Sequence, residues 1–314
     1  MRPPSKPTPA ARDPPARSAL LALACPATFP ARPVDFDSEF TYEGDSPLGI
    51  RPAAPASTHD ANKLVEICKS IRWESALSGL ALAGWCVIAP VCGVLPWRPH
   101  IWVTGPAGSG KTTVLRDIIG RVVGPVAIQV EGKTTEASIR HSLGYDALPI
   151  IFDEAESEDQ KSVERMQTVL DLARAASSES GGSIRKATNS GGVKIYRVRS
   201  CFCFSSINTA VKHYADETRV TTLVLSKIKA RDEEERVMNE AHYDELMGLI
   251  HATLTPEFAA SMIARSVENL ATLQANADAV TVGAGSQLTL DGAAISLGTV
   301  DAASLAVGSA GLAT

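Results

Sequence analysis

The stretch HIWVTGPAGSGKTTVLRDIIG, residues 100–120, decides the fold. An apolar run from His100 to Thr104 gives way to a loop with glycine at 105, 108 and 110, and a helical apolar pattern (Val114, Leu115, Ile118, Ile119) follows. Strand, glycine-rich turn, helix is the context in which Gly-x-x-x-x-Gly-Lys-Thr becomes a phosphate cradle. Glycines let successive backbone amides turn inward onto phosphate oxygens, and the helix N-terminus adds its partial positive charge. Nucleotide contacts are expected from Gly105, Pro106, Ala107, Gly108, Ser109, Gly110, Lys111, Thr112 and Thr113. Lys111 is the expected partner of the β- and γ-phosphates and Thr112 a ligand of Mg²⁺, with ATP as the nucleotide.

Three downstream stretches extend the site. In LPIIFDEAE, residues 148–156, an apolar strand ends in Asp153 and Glu154, and ligands of parallel α/β sheets bind at that strand end. Asp153 is expected to hold the Mg²⁺ through water, and Glu154 to orient or deprotonate the attacking water. In SCFCFSSINTA a second apolar strand ends in Ser205, Ser206 and Asn208. Asn208 is read as a sensor of the γ-phosphate; the alternative is a helix cap. Arg219, in YADETRVTTLVL, stands before the last strand. It is either a finger reaching a neighbouring subunit's γ-phosphate or a solvated partner of Asp216 and Glu217.

Between the acidic pair and the sensor strand lies GGSIRKATNSGGVKIYRVRS, residues 181–200, with Arg185, Lys186, Lys194, Arg197 and Arg199 and no acidic residue. Its two alternating arms meet at TNSGG, which predicts a hairpin with its tip at 189–192. Such a basic ribbon suits a phosphodiester backbone, with Arg185, Lys186, Lys194 and Arg197 as the expected contacts and Tyr196 as a stacking ring. Basic edge residues also deter aggregation, which is the plain alternative.

The chain has 314 residues, 45% of them hydrophobic, and a net charge of −5, so no global basic field marks a polyanion partner. Residues 1–58 read as a disordered Pro/Ala-rich leader, 59–97 as a helical N-terminal subdomain, 98–228 as the ATPase core, 229–275 as a helical lid-like segment and 276–314 as a low-complexity tail. Strands are expected at 100–104, 125–130, 148–152, 199–206 and 220–226, and helices at 110–120, 134–144 and 160–177. This alternation predicts an α/β fold, a three-layer αβα core around a mostly parallel five-stranded sheet, with the hairpin inserted and helices flanking both ends. The uncharged run from Ala76 to Pro96 is long enough for a bilayer, but a buried helix stopped by Pro90 uses the same residues, and no membrane is expected. The short apolar run before Cys25 suggests an export signal only superficially, because the leader is crowded with proline. Six scattered cysteines without a Cys-x-x-Cys pair read as buried thiols of a cytoplasmic protein, with structural zinc as the alternative.

This order of motifs resembles superfamily 3 helicases and related AAA+ ATPases. The stretches GWCVIAPVCGVLPWRPHIWVTGPAGSGKTTVL, TTEASIRHSLGYDALPIIFDEAE and FCFSSINTAV are similar to the ATPase part of phage and prophage primase-helicase proteins, over residues 60 to 275. The resemblance implies nucleotide contacts by Gly105 to Thr113, Mg²⁺ contacts by Thr112 and Asp153, water activation by Glu154, sensing by Asn208, a trans finger at Arg219 and DNA contact by Lys186 and Lys194. It also implies single-stranded or forked DNA as partner, a homo-oligomeric ring, most simply a hexamer, and a bacterial host cell. Thr134, Thr135 and Glu136 match a recurrent run whose only evident role is to start a helix. No primase module is visible in the first 58 residues, so priming is not implied. A protein-remodelling or loader ATPase, and a truncated binding fragment without activity, are the competing readings.

Overall fold

The computed structural model describes residues 53–144, 146–153, 155, 160–178, 184–187, 192–207, 219–227, 233–273, 280–283 and 287–290. Helix α1 (Thr58–Ser70) starts at Ser57, whose hydroxyl accepts from the Asp60 amide at 3.1 Å, and buries Leu64, Ile67 and Cys68. Helix α2 (Leu77–Ile88) passes into a tight 3₁₀ segment at Ala89–Val94 that contains Pro90. The apolar run is therefore broken where proline removes a donor. Its residues Leu82, Ala83, Trp85, Cys86, Ala89, Val91 and Cys92 lie in the protein core.

Strand β1 (His100–Thr104) leads through the glycine loop into helix α3 (Thr113–Ile119, continued by Gly120–Val122). The first part of α3 is wound wide, with the Gly120 amide donating back to Leu115 O. Then come β2 (Ile128–Glu131), α4 (Glu136–Leu143), β3 (Ile150–Asp153) and α5 (Gln160–Ala176). Strands β4 (Ile184–Ala187) and β5 (Val193–Tyr196) pair antiparallel as the expected hairpin. Strands β6 (Phe202–Ser206) and β7 (Val220–Val224) complete the sheet, and helices α6 (Glu233–Thr253) and α7 (Pro256–Glu268) follow. Strand β2 starts later than expected because Gly124–Val126, with Pro125, forms a separate turn.

The five-stranded sheet has the order β2-β3-β6-β1-β7, and every neighbouring pair is parallel. It is an α/β sheet with helices on both faces. Period-two alternation sorts its side chains: Ile101, Val103, Ile151 and Cys203 join the core that holds α3 and the α1 and α2 residues, whereas Trp102, Phe152, Phe202 and Phe204 join the core under α4 and α5. Trp102 stacks on Phe204 at 5.0 Å and Phe204 on Phe202 at 5.7 Å. Burying each such ring stabilises the fold by ~2–3 kcal/mol.

The flanking helices meet each other. The Ala56 amide donates to Ser261 O at 2.9 Å, Arg265 Nη1 donates to Ala56 O at 2.7 Å, and Ser266 Oγ donates to Val87 O at 2.8 Å. Leu246, Ile250, Leu254 and Met262 belong to the same core as Leu64, Leu82 and Val114. In the tail, β8 (Val280–Gly283) and β9 (Gln287–Leu290) pair antiparallel, a hairpin missed in a stretch read as low-complexity. Its local alternation, VTVG and QLTL, was the available signal.

Candidate nucleotide site and basic hairpin

The glycine loop leaves β1 under tight constraint. A Cβ at Gly105 would stand 2.8 Å from both Leu225 O and Ser109 Oγ, and Gly108 and Gly110 hold φ of 77° and 95°, which disfavour any side chain. The loop is anchored from below, because the Leu225 amide donates to Thr104 O at 2.8 Å and Thr104 Oγ1 donates to Ile207 O at 2.9 Å. Lys111 Nζ donates to the loop's own carbonyls, Gly105 O at 2.6 Å and Pro106 O at 3.2 Å. Thr112 is exposed beside it, and the Ser109 hydroxyl is buried with no hydrogen-bond partner among the described residues. A glycine loop with positive φ at Gly108 and Gly110, an ammonium resting on its carbonyls and a buried hydroxyl without a partner fits a phosphate chain.

Asp153 ends β3 at the same sheet edge. The register aligns Phe152 with Phe204 and Phe204 with Trp102, which places Asp153 level with Ser205 and Val103, two strands or ~10 Å across from β1. Alternation puts Asp153 and Ser205 on the face that carries α3. Burial pushes the neighbouring Cys203 thiol up, and the Asp153 charge adds to that rise. The Ala155 amide donates to Ser205 O at 2.7 Å, which ties the end of β3 to β6. Among the expected ligands, Thr112 and Asp153 thus share one edge and could hold a hydrated divalent ion between them. Glu154 and Asn208 lie outside the described residues. Of the serines at the β6 end, Ser206 turns to the opposite face, where its Oγ accepts from Trp102 Nε1 at 2.8 Å.

Two carboxylates at or near this site escaped the sequence reading. Glu131 ends β2 in register with Asp153. Asp117, 4% exposed in α3, accepts from Arg116 Nη2 at 2.9 Å and lies 3.9 Å from His251 Nε2 of α6. Tyr243 of the same helix brings its hydroxyl to 3.5 Å from Thr113 Oγ1. The end of β2 was a usable signal for Glu131; nothing local predicts that α6 docks on α3.

Arg219 stands immediately before β7, whose first residue, Val220, pairs with His100 at the start of β1. It is therefore at the sheet edge opposite Lys111, about 13 Å away along the strand direction. There it joins Arg98 around the buried His100. His100 donates through Nε2 to Ala173 O at 2.7 Å and accepts at Nδ1 from the Phe202 amide at 3.1 Å, so both ring nitrogens are used by the neutral form. Burial pushes its pKa down to about 4; the Ala173 bond opposes the shift, and the charges of Arg98 and Arg219 reinforce it. Arg98 caps the end of α5 by donating to Ala176 O, while its amide donates to Ser177 O at 2.7 Å.

The hairpin leaves from this second edge, opposite the nucleotide edge. α5 returns from the Asp153 edge to the start of β1, and β6 starts at that level too, where the Ile150 amide donates to Cys201 O. Arg185, Lys186 and Arg197 are exposed, Arg199 is half-buried, and Lys194 is the register partner of Lys186. The expected tip, 189–192, is described only at Gly192. Tyr196 corrects another expectation: it is 8% exposed under the Arg140 guanidinium, which lies 4.3 Å from its ring centroid, so it offers no open face to a base. The exposed arm instead carries Val193 (64%) and Ile195 (44%).

The remaining sequence expectations concern cysteines. Cys68, Cys86, Cys92, Cys201 and Cys203 are buried free thiols. Among the described residues no three of His, Cys, Asp and Glu gather in a metal-binding group.

No protein-family model matches the chain, and no curated protein matches its sequence. Solved structures do show similarity. JCV helicase with a bound thiazolopyridinyl-phenoxyphenyl acetamide aligns over 71% of this chain and 61% of its own at 11% identity, with a TM-score of 0.36. The apo C-terminal region of NrS-1 aligns over 75% and 55% at 12% identity and a TM-score of 0.37. Hsp104 in its closed state with ATPγS and casein aligns over 70% and 47% at 15% identity and a TM-score of 0.36. The chain thus spans roughly half to three-fifths of each of these structures.

Proposed function

We propose that this chain is an ATP hydrolase that works with Mg²⁺ and drives movement along single-stranded or forked DNA, as a homo-oligomeric ring, most simply a hexamer, in the cytoplasm of a bacterial cell hosting a phage or prophage replication system. The observation that carries the reading is the joint placement of the glycine loop and Asp153 on one edge and one face of a single parallel sheet. In it the loop amides and Lys111 bind and orient the triphosphate, and Thr112 and Asp153 hold the cation. Bound Mg²⁺ would draw charge from the γ-phosphate. Glu154 orients or deprotonates the attacking water and Asn208 reports the γ-phosphate. Arg219 acts on a neighbour's nucleotide, because its own is a strand length away. The exposed Arg185, Lys186 and Arg197, with Lys194, supply the DNA contact.

One observation favours a second reading. The exposed Val193 and Ile195 on the hairpin would suit an unfolded polypeptide, as a remodelling ATPase requires. ATP turnover measured alone, with single-stranded DNA and with an unfolded polypeptide separates the two. Stimulation by DNA is the expected result. Stimulation by polypeptide alone would replace the translocase with a remodeller, and nucleotide binding without turnover would leave a binding fragment.

A further inference from the structure

The nucleotide edge and the hairpin edge lie at opposite ends of the strands, so any communication between them must run the height of the sheet. Two helices on the aromatic face do so. α5 is fixed at its far end, where Arg98 and His100 hold Ala173 O, Ala176 O and Ser177 O. α4 is held differently. It starts beside the acidic edge: β2 ends at Glu131 in register with Asp153, the Thr134 amide closes a turn on Glu131 O at 2.8 Å, and the Thr135 hydroxyl caps the helix by accepting from the Ser138 amide at 3.2 Å. Eight helical residues rise ~12 Å, about the height of the strands.

Within α4, Arg140 has a side chain only 5% exposed. Its Nε and Nη2 donate to the two carboxylate oxygens of Glu136, the second at 3.1 Å. Its guanidinium plane covers the Tyr196 ring of β5 at 4.3 Å, and His141 meets that ring edge-on at 6.0 Å. A guanidinium withdrawn from water is stabilised by a charge partner and by a surface for its flat face.

We propose that Arg140 is a positioning residue that couples the nucleotide edge to the basic hairpin: displacement of the β2 end and its carboxylate moves α4, and the Arg140–Tyr196 stack passes that displacement to β4 and β5. This rests on reading the glycine loop as a hydrolytic site and the hairpin as the polyanion contact. It gives the Thr134-Thr135-Glu136 run a role beyond starting a helix: turn, cap and anchor for Arg140.

The test is amide hydrogen exchange at 184–187 and 193–196 in the full chain with Mg²⁺, comparing ADP with ATPγS. The wild-type hairpin is expected to exchange at rates differing by about threefold or more between the two nucleotides. Tyr196→Leu, which leaves the Arg140–Glu136 pair intact, should abolish that difference while ATP turnover without DNA stays within about twofold of wild type. Tyr196→Phe, which keeps the ring, should restore it, and Arg140→Met should behave as Tyr196→Leu. A stack that is merely structural would speed exchange equally in both states and leave the difference intact. The inference is overturned if the nucleotide-dependent difference survives in Tyr196→Leu, or if the wild-type hairpin exchanges identically with ADP and ATPγS. DNA stimulation of wild-type turnover, measured in parallel, reports separately on the translocase reading, so the two can fail independently.

Discussion

At Gly105 the backbone turns out of β1 with Leu225 O and Ser109 Oγ both 2.8 Å from where a methyl group would go. Gly105→Ala should therefore cost about 1–3 kcal/mol of stability and at least roughly tenfold in nucleotide affinity, because either the loop or the β7 end must move. Thermal melts with a fluorescent ATP analogue titration check this, and unchanged affinity would contradict the cradle. His100 makes a different prediction. Its pKa falls from 6.5 in the open chain to about 4 when folded, so between those values the unfolded chain binds the extra proton. Its contribution is complete above pH 6.5, declines as pH drops through this window and is gone below about 4. The fully buried ring makes this worth up to ~3 kcal/mol. Urea midpoints from pH 7.5 to 4 should fall with that slope, and a His100→Gln variant should show a shallower decline.

At the scale of elements, caps and breakers act locally. Ser57 starts α1, and Thr255 with Pro256 starts α7 after the break at Leu254. Thr255 Oγ1 accepts from the Phe258 amide at 3.2 Å, and Thr255→Ala should lower stability by about 1 kcal/mol, seen as a reduced melting temperature. The hairpin was legible too, because alternation and TNSGG are local signals. Its surroundings were not: that Tyr196 faces inward depends on Arg140, which reaches it only across the fold. Lys186→Ala combined with Lys194→Ala should weaken single-stranded DNA binding and flatten the log–log salt slope by about one to two, while leaving hydrolysis without DNA unchanged. Affinity measured across a salt series decides whether the hairpin is more than a solvated ribbon.

For the whole molecule, the decisive fact is that Arg219 and Lys111 occupy opposite sheet edges. A single chain cannot bring them to one phosphate without breaking β1–β7 pairing. If Arg219 is a finger, Lys111→Ala and Arg219→Ala should each abolish turnover alone, and mixing the two should recover a fraction of it, since mixed rings contain sites with an intact loop facing an intact arginine. Turnover against mixing ratio, beside a sizing measurement with ATPγS and Mg²⁺, tests this; full activity of Arg219→Ala alone would remove the arginine from the site.

The sequence by itself determined the glycine loop, the acid-terminated strand, the alternation that makes a parallel sheet and the charge of the hairpin, because each is written within a few residues whose spacing matches a backbone period. Only the tertiary structure decided which edge each group occupies, that Tyr196 is sealed under Arg140, that Ser206 serves Trp102 and that α6 lies on α3. Strand order and helix docking depend on which apolar faces find each other across the chain, and no short stretch of sequence records that choice.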